Sequence, residues 1–292
     1  MTTFDILRLE SDTIGRYLSL AKARSILPHL ITASAAMFIA VQRIPPVTIL
    51  FFTLLGGACV AAAANTFNSL LDTDIDALMM RTRHRPLPSG SIHRNQALVF
   101  GIVIGIAGVF TLGKFVGWIP AALAVLALLY YVVPYTLWLK RKNYWSAIVG
   151  SGAGALPPLI GWWAVTSKIE AAPFLLSVIV ILWTLPHFWT LAIVRQDDYE
   201  RAGINNLPLT GAILWITVSS FLLVAFSMLL KLVANLGLFY IMMAIVLGIV
   251  FLILVWQLRR NRPQKYFGYL YRYSIFYIGL LFASIIIDKL WF

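Results

Sequence analysis

The side chains best suited to chemistry lie in one run, residues 65–90, which reads NTFNSLLDTDIDALMMRTRHRPLPSG. Asn68, Asp72 and Asp76 are spaced four apart, so in a helix each lies only about 40° round the axis from the last. Asn65, three residues before Asn68, shares that face. Two carboxylates and two carboxamides on one face are oxygen ligands that a hard divalent cation such as Mg²⁺ prefers. A solvated helix end is the alternative interpretation.

Basic side chains and a second acidic cluster extend this pattern. Arg81 and Arg85 follow the first cluster, and a cation beside arginines binds phosphate. The second cluster, RQDDYERAG, contains Asp197 and Asp198. Taken alone it is equally typical of a hydrated interfacial loop. Together, two acidic patches flanking one cavity can hold two Mg²⁺ ions against a diphosphate.

The composition indicates a membrane protein. Hydrophobic residues make up 61% of 292 and charged residues 12%, with a mean hydropathy of +0.86, whereas a soluble domain carries about 25% charged residues. The net charge of +12 is better explained by basic cytoplasmic loops than by nucleic-acid binding, so no nucleic-acid partner is expected. The single cysteine, Cys59, excludes an intrachain disulfide.

Apolar runs predict an all-α, polytopic protein in which nine transmembrane helices form one bundle. One domain, residues 1–292, begins with a cytoplasmic segment, residues 1–24, in which residues 13–22 could form an amphipathic helix. The predicted spans are 25–42, 46–69, 96–113, 117–138, 145–165, 172–194, 210–231, 236–257 and 270–289.

The distribution of charge predicts the orientation. Eighteen of the 23 Lys and Arg residues, and nine of the eleven acidic ones, fall on the side that holds the N-terminus and the loops after even-numbered spans. The N-terminus and the active-site cavity are therefore expected to face the cytoplasm, with the C-terminus outside. The span centres are nearly free of ionisable groups, which argues against a transporter.

These features predict ionisation of an allylic diphosphate, in which metal ions and arginines stabilise the departing pyrophosphate. The prenyl cation would need aromatic faces, and Tyr131 and Tyr135 share one helix face in span four. Lys140 and Arg141 either bind an anion or are simply cytoplasmic charge. His187, in span six, is either a buried histidine satisfied by hydrogen bonds or a base or iron ligand facing the deeper cavity. The glycines and prolines of GSGAGALPPLIGW predict close helix packing and a kink.

At these residues the chain resembles the UbiA-type intramembrane prenyltransferases, and within them the protoheme IX farnesyltransferases, or heme O synthases. The resemblance rests on NTFNSLLDTDIDALMMRTRHRPLPSG, YTLWLKRKN, GAGALPPLIGWW and PHFWTLAIVRQDDYERAGINNLP, spread from span two to span seven. It implies a nine-helix enzyme in the plasma membrane of a prokaryote. The implied substrates are farnesyl diphosphate and heme b, with Mg²⁺ as cofactor and heme O as product.

The resemblance also implies roles for individual residues. Asn68, Asp72 and Asp76 would bind Mg²⁺ and diphosphate, and Asp198, with Asp197 as the close alternative, would form a second metal site. The implied contacts to diphosphate or heme propionates are Arg81, Arg85, Lys140 and Arg141. His187 would lie near the heme, and heme A synthase or oxidase assembly factors are candidate partners.

The chain departs from the family pattern at three places: Lys22-Ala23-Arg24 replaces Lys-Pro-Arg, Asn205-Asn206 replaces Pro-Met, and Ala202 stands where the wider superfamily repeats an acid. Two other functions stay open. One is prenylation of another acceptor, such as an aromatic ring or a chlorophyll-type alcohol. The other is a non-catalytic heme carrier or assembly protein that uses His187.

Overall fold

The computed structural model describes residues 13–141, 146–204, 208–261 and 264–291. Every regular element in these ranges is helical, and nine helices are long and apolar enough to cross a membrane, which confirms the predicted fold. Residues 1–12 of the predicted cytoplasmic segment, Lys142, and the Asn205-Asn206 departure lie outside the described residues.

A short helix, α1 (13–20), precedes the first span, where an amphipathic helix was predicted. The other helices follow in chain order. They are α2 (Ala23–Val41), α3 (Val47–Leu71), α4 (Thr73–Leu78), α5 (Arg94–Phe115), α6 (Trp118–Tyr130), a π-helical continuation of α6 (Tyr131–Leu139), α7 (Ser146–Gly154), α8 (Leu156–Val165), α9 (Ala171–Val194), α10 (Gln196–Arg201), α11 (Leu209–Val233), α12 (Leu238–Asn261) and α13 (Gln264–Trp291).

Most predicted boundaries agree with the helices within a few residues, and the largest difference is in the last span. That span was predicted to begin at residue 270, whereas α13 begins at Gln264. Its first residues, QKYFGY, are polar or amphipathic and lower the local hydropathy. A helix does not have to stop at the edge of the apolar layer, because Lys and Tyr side chains can reach the interface from it. Hydropathy therefore locates the apolar part of a helix rather than its ends.

The predicted kink divides the fifth span into α7 and α8, which meet at Ala155. Pro157 and Pro158 follow at once, and a proline near the start of a helix removes N–H groups that have no intrahelical partner there. Gly161 then lets α8 lie against α2. A Cβ at this position would be only 2.1 Å from the carbonyl oxygen of Ala33. The close packing of small residues predicted for this segment is therefore present.

Helix α3, which bears the first acidic cluster, packs tightly on α5. A Cβ added at Gly108 would lie 2.8 Å from the carbonyl oxygen of Gly56. Small residues allow two membrane helices to approach along their backbones, where van der Waals packing stabilises them. This contact holds α3 in place beneath the cluster.

The later helices, α9 and α11–α13, form a second wall around large buried side chains. Tyr240, Phe251, Tyr277 and Phe282 are all fully buried there. At the end of this wall away from the acidic cluster, the carboxylate of Asp288 accepts hydrogen bonds from backbone N–H groups at the start of α12. The wall is therefore tied by packing along its length and by polar contacts at its end.

Candidate active site

The first acidic cluster lies where α3 ends and α4 begins. The backbone N–H of Asp72 donates to Asn68 O (3.0 Å), and that of Asp76 donates to Asp72 O (2.8 Å). Helical hydrogen bonding thus continues through the junction, so the three side chains keep the common face predicted from their spacing. All three are buried, with Asn68 2%, Asp72 1% and Asp76 4% exposed. Buried carboxylates need partners, because an uncompensated charge in a low-dielectric site is costly.

The two oxygens of Asp72 have different surroundings. Asn68 Nδ2 donates to Oδ2 at 2.7 Å and also reaches Thr136 Oγ1 at 3.2 Å. Oδ1 is buried and has no hydrogen-bond partner among the described residues. Arg141 Nη2 lies 3.9 Å from Oδ1. A buried carboxylate oxygen without a hydrogen-bond partner, on the helix face that also carries Asn68 and Asp76, fits a hard divalent cation.

One basic side chain from the same run and one from the end of the fourth span pair with these carboxylates. Lys140 Nζ forms an ion pair with Asp72 Oδ2, and Arg85 Nη1 donates to Asp76 Oδ2 at 2.8 Å. Both carboxylates are almost fully buried, whereas both cations remain partly exposed. The cations can therefore move to an anion that enters from the exposed side without leaving the site.

A third cation, Lys22, comes from the turn before α2. Its Nζ donates to Asn68 Oδ1 at 2.5 Å. Burial lowers the pKa of Lys22 to about 7, and repulsion from Arg85 and Lys140 acts in the same direction. The attraction of the two carboxylates only partly offsets these effects. The cluster therefore carries excess positive potential, which suits an anion.

The π-helical end of α6 brings Lys140 to the cluster. Pro134 lacks a backbone N–H, which disturbs α-helical hydrogen bonding in this turn. Thr136 Oγ1 bonds to Tyr131 O (2.8 Å), and the backbone N–H of Lys140 bonds to Tyr135 O, five residues earlier (2.9 Å). π-Turns often occur at functional sites. Here the turn directs Thr136 toward Asn68 and Lys140 toward Asp72, at the end of α3.

Beneath the cluster lies an apolar cavity of about 270 Å³, enclosed by α2, α3, α6–α9 and α13. Asn65 is at its upper end, where its Nδ2 bonds to Ala21 O (2.9 Å) and Ser25 Oγ (3.2 Å). Tyr131 lines the cavity, and its ring stacks on Tyr135 with centroids 5.4 Å apart. The apolar cavity, with its aromatic face, therefore begins at Asn65, one turn of α3 before Asn68.

Comparison with known proteins identifies the family. The model of the UbiA prenyltransferase family matches residues 29–283. The chain belongs to the UbiA prenyltransferase family.

Curated relatives agree with this assignment. The chain is 40% identical over 288 residues to a protoheme IX farnesyltransferase of Symbiobacterium thermophilum, which covers 96% of each protein. It is 38% identical over 281 residues to a protoheme IX farnesyltransferase of Chloroflexus aurantiacus, which covers 95% of this chain and 48% of that relative. The chain thus spans nearly the whole of some relatives and about half the length of others.

Solved structures share the fold. A UbiA homologue from Aeropyrum pernix K1 superposes with a TM-score of 0.69 and 20% identity, covering 91% of this chain and 98% of that one. A UbiA homologue from Archaeoglobus fulgidus bound to DMAPP and Mg²⁺ gives 0.65 and 19%, covering 93% and 99%. At these identities the likeness establishes the UbiA fold.

The second acidic cluster of this UbiA protein lies against the first. Asp198 is buried and its Oδ1 accepts the backbone N–H of Met80 at 2.8 Å, whereas Asp197 is exposed. Ile75 and Met79 of the first segment and Tyr199 and Ile204 of the second belong to one buried apolar cluster, which holds the two segments together. In the described part of the chain, no three His, Cys, Asp or Glu side chains converge as a ready metal site. The structure thus buries Asp198, but not Asp197, against the backbone that follows α4.

The remaining predicted basic residues lie at the rim. Arg81 is exposed. Arg141 pairs with Asp74 through bonds of 2.6 and 2.7 Å and also donates to Leu71 O. This hydrogen-bonded guanidinium lowers the pKa of the Asp74 carboxyl. Asp74 is exposed, because it lies two residues after Asp72, which places it about 160° round the helix axis. Its pair with Arg141 ties the end of the π-helical segment to the end of α3.

His187, on α9, is held by one hydrogen bond and by two aromatic rings. Its Nδ1 is 2.8 Å from Ser274 Oγ, and its ring stacks between Trp183 and Tyr271, with both centroid distances 4.9 Å. Trp183 lines the cavity, whereas His187 is absent from the described lining. His29, on α2, does line the cavity.

Sequence reasoning missed Lys22 and Thr136 as site residues. Lys22 is 46 positions and Thr136 is 68 positions from Asn68, which both contact. Helical spacing connects only residues on one helix, so neither contact leaves a periodic signal. The one sequence feature that could have indicated Lys22 is the Lys22-Ala23-Arg24 motif, at which the chain departs from the pattern of the family.

Proposed function

We propose that this protein transfers a farnesyl group from farnesyl diphosphate to a vinyl group of heme b, giving heme O. The observation that carries the proposal is the buried Asn68/Asp72/Asp76 cluster, which is contacted by Lys140, Arg85 and Lys22 and lies one turn of α3 from the start of an apolar cavity at Asn65. The names of the relatives support heme b as the acceptor and farnesyl as the donor. Heme b is then a substrate and not a resident cofactor.

Asn68, Asp72 and Asp76 would hold Mg²⁺, for which Asp72 Oδ1 is the free buried ligand. When bound, Mg²⁺ supplies positive charge that stabilises the departing pyrophosphate. Lys140 and Arg85 then exchange their carboxylate partners for diphosphate oxygens, and Lys22 donates from the third side. Charge-assisted hydrogen bonds of this kind are short and strong. They strengthen as the C–O bond breaks, because negative charge accumulates on the leaving group.

The cavity residues protect the cationic fragment. Its apolar walls exclude water, and the face of Tyr131, with Tyr135 stacked on it, stabilises positive charge through the ring quadrupole. The heme vinyl carbon forms the new C–C bond to the farnesyl carbon that has lost pyrophosphate. Water adds to the resulting cation at the neighbouring carbon and releases a proton, which completes the hydroxyethylfarnesyl substituent. Farnesyl diphosphate, heme b and water thus give heme O and pyrophosphate.

The remaining predicted residues are assigned to a second metal site, to the rim and to the heme side of the cavity. Asp198, with Asp197 as the close alternative, would complete a second metal site once the diphosphate is bound. Arg81 and Arg141, both at the rim, would meet diphosphate or heme propionates, and His187 would lie near the heme. Asn65 orders the upper end of the cavity by tying α3 to the turn before α2.

The orientation follows from the charge distribution in the sequence. We infer that the cluster faces the cytoplasm of a prokaryotic cell and that the C-terminus lies outside. Heme A synthase or oxidase assembly factors are candidate partners, since the heme product must be passed on within the membrane.

The test is product identification. Purified protein in lipid nanodiscs is incubated with farnesyl diphosphate, heme b and Mg²⁺, and the heme fraction is measured by mass spectrometry. We expect a heme whose mass has increased by farnesol, which is farnesyl plus hydroxyl. Asp72→Asn and Asp76→Asn should each lower the rate by about two orders of magnitude or more, as loss of an electrostatic group at a reaction centre does.

Two results would contradict the proposal. Unmodified heme alongside prenylation of an aromatic or alcohol acceptor would keep the prenyltransferase and remove heme as its substrate. Heme binding and normal cellular heme O supply in both aspartate variants would indicate a carrier instead of an enzyme.

A further inference from the structure

The cavity has a measurable depth along α3. The α3 residues that line it, from the cluster downward, are Asn65, Ala64, Ala61, Val60, Gly57 and Thr53. Gly57 is eleven residues from Asn68, about 16 Å along the helix, and Thr53 is one further turn away. A depth of this order is what a chain of three isoprene units needs when its diphosphate is held at the cluster.

Gly57 differs from the other glycines of α3 and α5. A Cβ at Gly56 or Gly108 would collide with the facing helix at 3.0 Å or less, whereas a Cβ at Gly57 would meet no atom within 4 Å. Gly57 lines the cavity, so the open space in front of it is the cavity itself. Helix packing thus explains glycine at position 56 but not at position 57.

We infer that Gly57 sets the length of prenyl chain that the protein accepts, by leaving open the lower part of the cavity. This inference rests on the proposed function, because it takes the diphosphate to lie at Asn68, Asp72 and Asp76. A side chain at Gly57 projects into the path of the third isoprene unit. It leaves the first two units and the diphosphate contacts untouched.

Ala61, one turn nearer the cluster, also lines the cavity. A large side chain there would obstruct the chain about 6 Å earlier. The two positions therefore predict different cut-offs on one helix face. Gly57→Leu should exclude farnesyl but not geranyl, whereas Ala61→Leu should exclude both.

The matched control is Gly279→Leu. Gly279 is on α13, also has no atom within 4 Å of an added Cβ, and is absent from the described cavity lining. The same substitution in another membrane helix should leave the donor profile unchanged. Gly57→Val provides a smaller obstruction if the leucine variant does not fold.

The experiment measures donor binding and turnover with geranyl, farnesyl and geranylgeranyl diphosphate. Binding is read from the ligand-dependent rise in melting temperature with Mg²⁺, which requires no acceptor. We expect Gly57→Leu to lose about tenfold or more in binding and kcat/KM for farnesyl and geranylgeranyl diphosphate, as misfit of a few methylenes does. Geranyl diphosphate should bind as in the unmodified protein.

Equal retention of farnesyl and geranyl diphosphate by folded Gly57→Leu or Gly57→Val would overturn the inference, as would equal loss of all three donors. Failure of the proposed function gives a distinct result. The unmodified protein would then bind no prenyl diphosphate, or would bind it and leave heme unmodified, whatever residue stands at position 57.

Discussion

Asp288 is a buried carboxylate that we expect to stabilise the helix bundle without taking part in catalysis. Its side chain is 1% exposed near the end of α13. Oδ2 accepts the N–H of Gly237 at 2.7 Å, and Oδ1 accepts the N–H of Tyr240 at 3.1 Å. Both donors lie at the start of α12, where backbone N–H groups lack helical partners. Asp288→Ala leaves them without this acceptor.

The magnitude follows from the two lost bonds. Each buried donor without a partner costs about 1–3 kcal/mol. Partial relaxation and water entry at the end of the bundle reduce this sum, so the free energy of unfolding should fall by about 2–4 kcal/mol. The loss of a strong helix N-cap costs up to about 2 kcal/mol, so the expected loss is at least as large. Asp288 is fourteen residues beyond Ser274, the partner of His187, which is about 21 Å along α13. Catalysis at the cluster should therefore be unchanged.

Thermal unfolding in detergent can be followed through the chain's single cysteine, Cys59, which is half-buried in α3 and reacts with a fluorogenic thiol dye on unfolding. Asp288→Ala should melt several degrees below the unmodified protein. Glu170→Ala is the control, because Glu170 is exposed and its side chain makes no cap bond to α9. An unchanged melting temperature in Asp288→Ala, or lost turnover in a folded Asp288→Ala, would refute the reasoning.

Three further predictions use other parts of the structure. Gly161→Ala should fail to fold or lose several kcal/mol of stability, because its Cβ would lie 2.1 Å from the carbonyl oxygen of Ala33. Gly279→Ala, the control, should melt at the same temperature as the unmodified protein. Similar melting temperatures for the two variants would contradict the packing of α8 on α2. Asp74→Asn should lower the free energy of unfolding by less than about 1 kcal/mol, because the ion pair between Asp74 and Arg141 is exposed. Since that pair lowers the pKa of Asp74, the difference should be present at neutral pH and disappear as the pH falls through the lowered pKa; a difference that grows in acid would refute it. Chelation of Mg²⁺ should abolish the stabilisation of the protein by farnesyl diphosphate, checked by the same melting assay, and Asp72→Asn should do so with Mg²⁺ present; full stabilisation in chelator would contradict a metal-bridged diphosphate.

The sequence predicted what depends on one helix. The nine spans follow from apolar runs, and the shared face of Asn68, Asp72 and Asp76 follows from four-residue spacing, which the bonded α3–α4 junction preserves. The outward position of Asp74 follows from the same periodicity. These are local properties, so the structure changes little about them.

The partners of those residues could not be predicted in the same way. Lys140 reaches Asp72 from 68 residues away, through a π-helical turn for which only Pro134 gives a hint. Lys22 reaches Asn68 from the opposite direction along the chain. The sequence likewise shows two adjacent glycines, Gly56 and Gly57. Only the structure shows that Gly56 lies in the contact between α3 and α5, whereas Gly57 faces the cavity.

The central claim is that the Asn68/Asp72/Asp76 cluster holds the diphosphate through a metal ion. The most direct measurement is a crystal structure of the protein with Mn²⁺ and the non-reactive thiolo analogue of farnesyl diphosphate, with anomalous scattering recorded at the manganese edge. We expect an anomalous peak bonded to Asp72 Oδ1 and a diphosphate oxygen, with the farnesyl chain running toward Gly57. A diphosphate bound elsewhere, or bound at the cluster with no metal peak beside Asp72, would contradict the account.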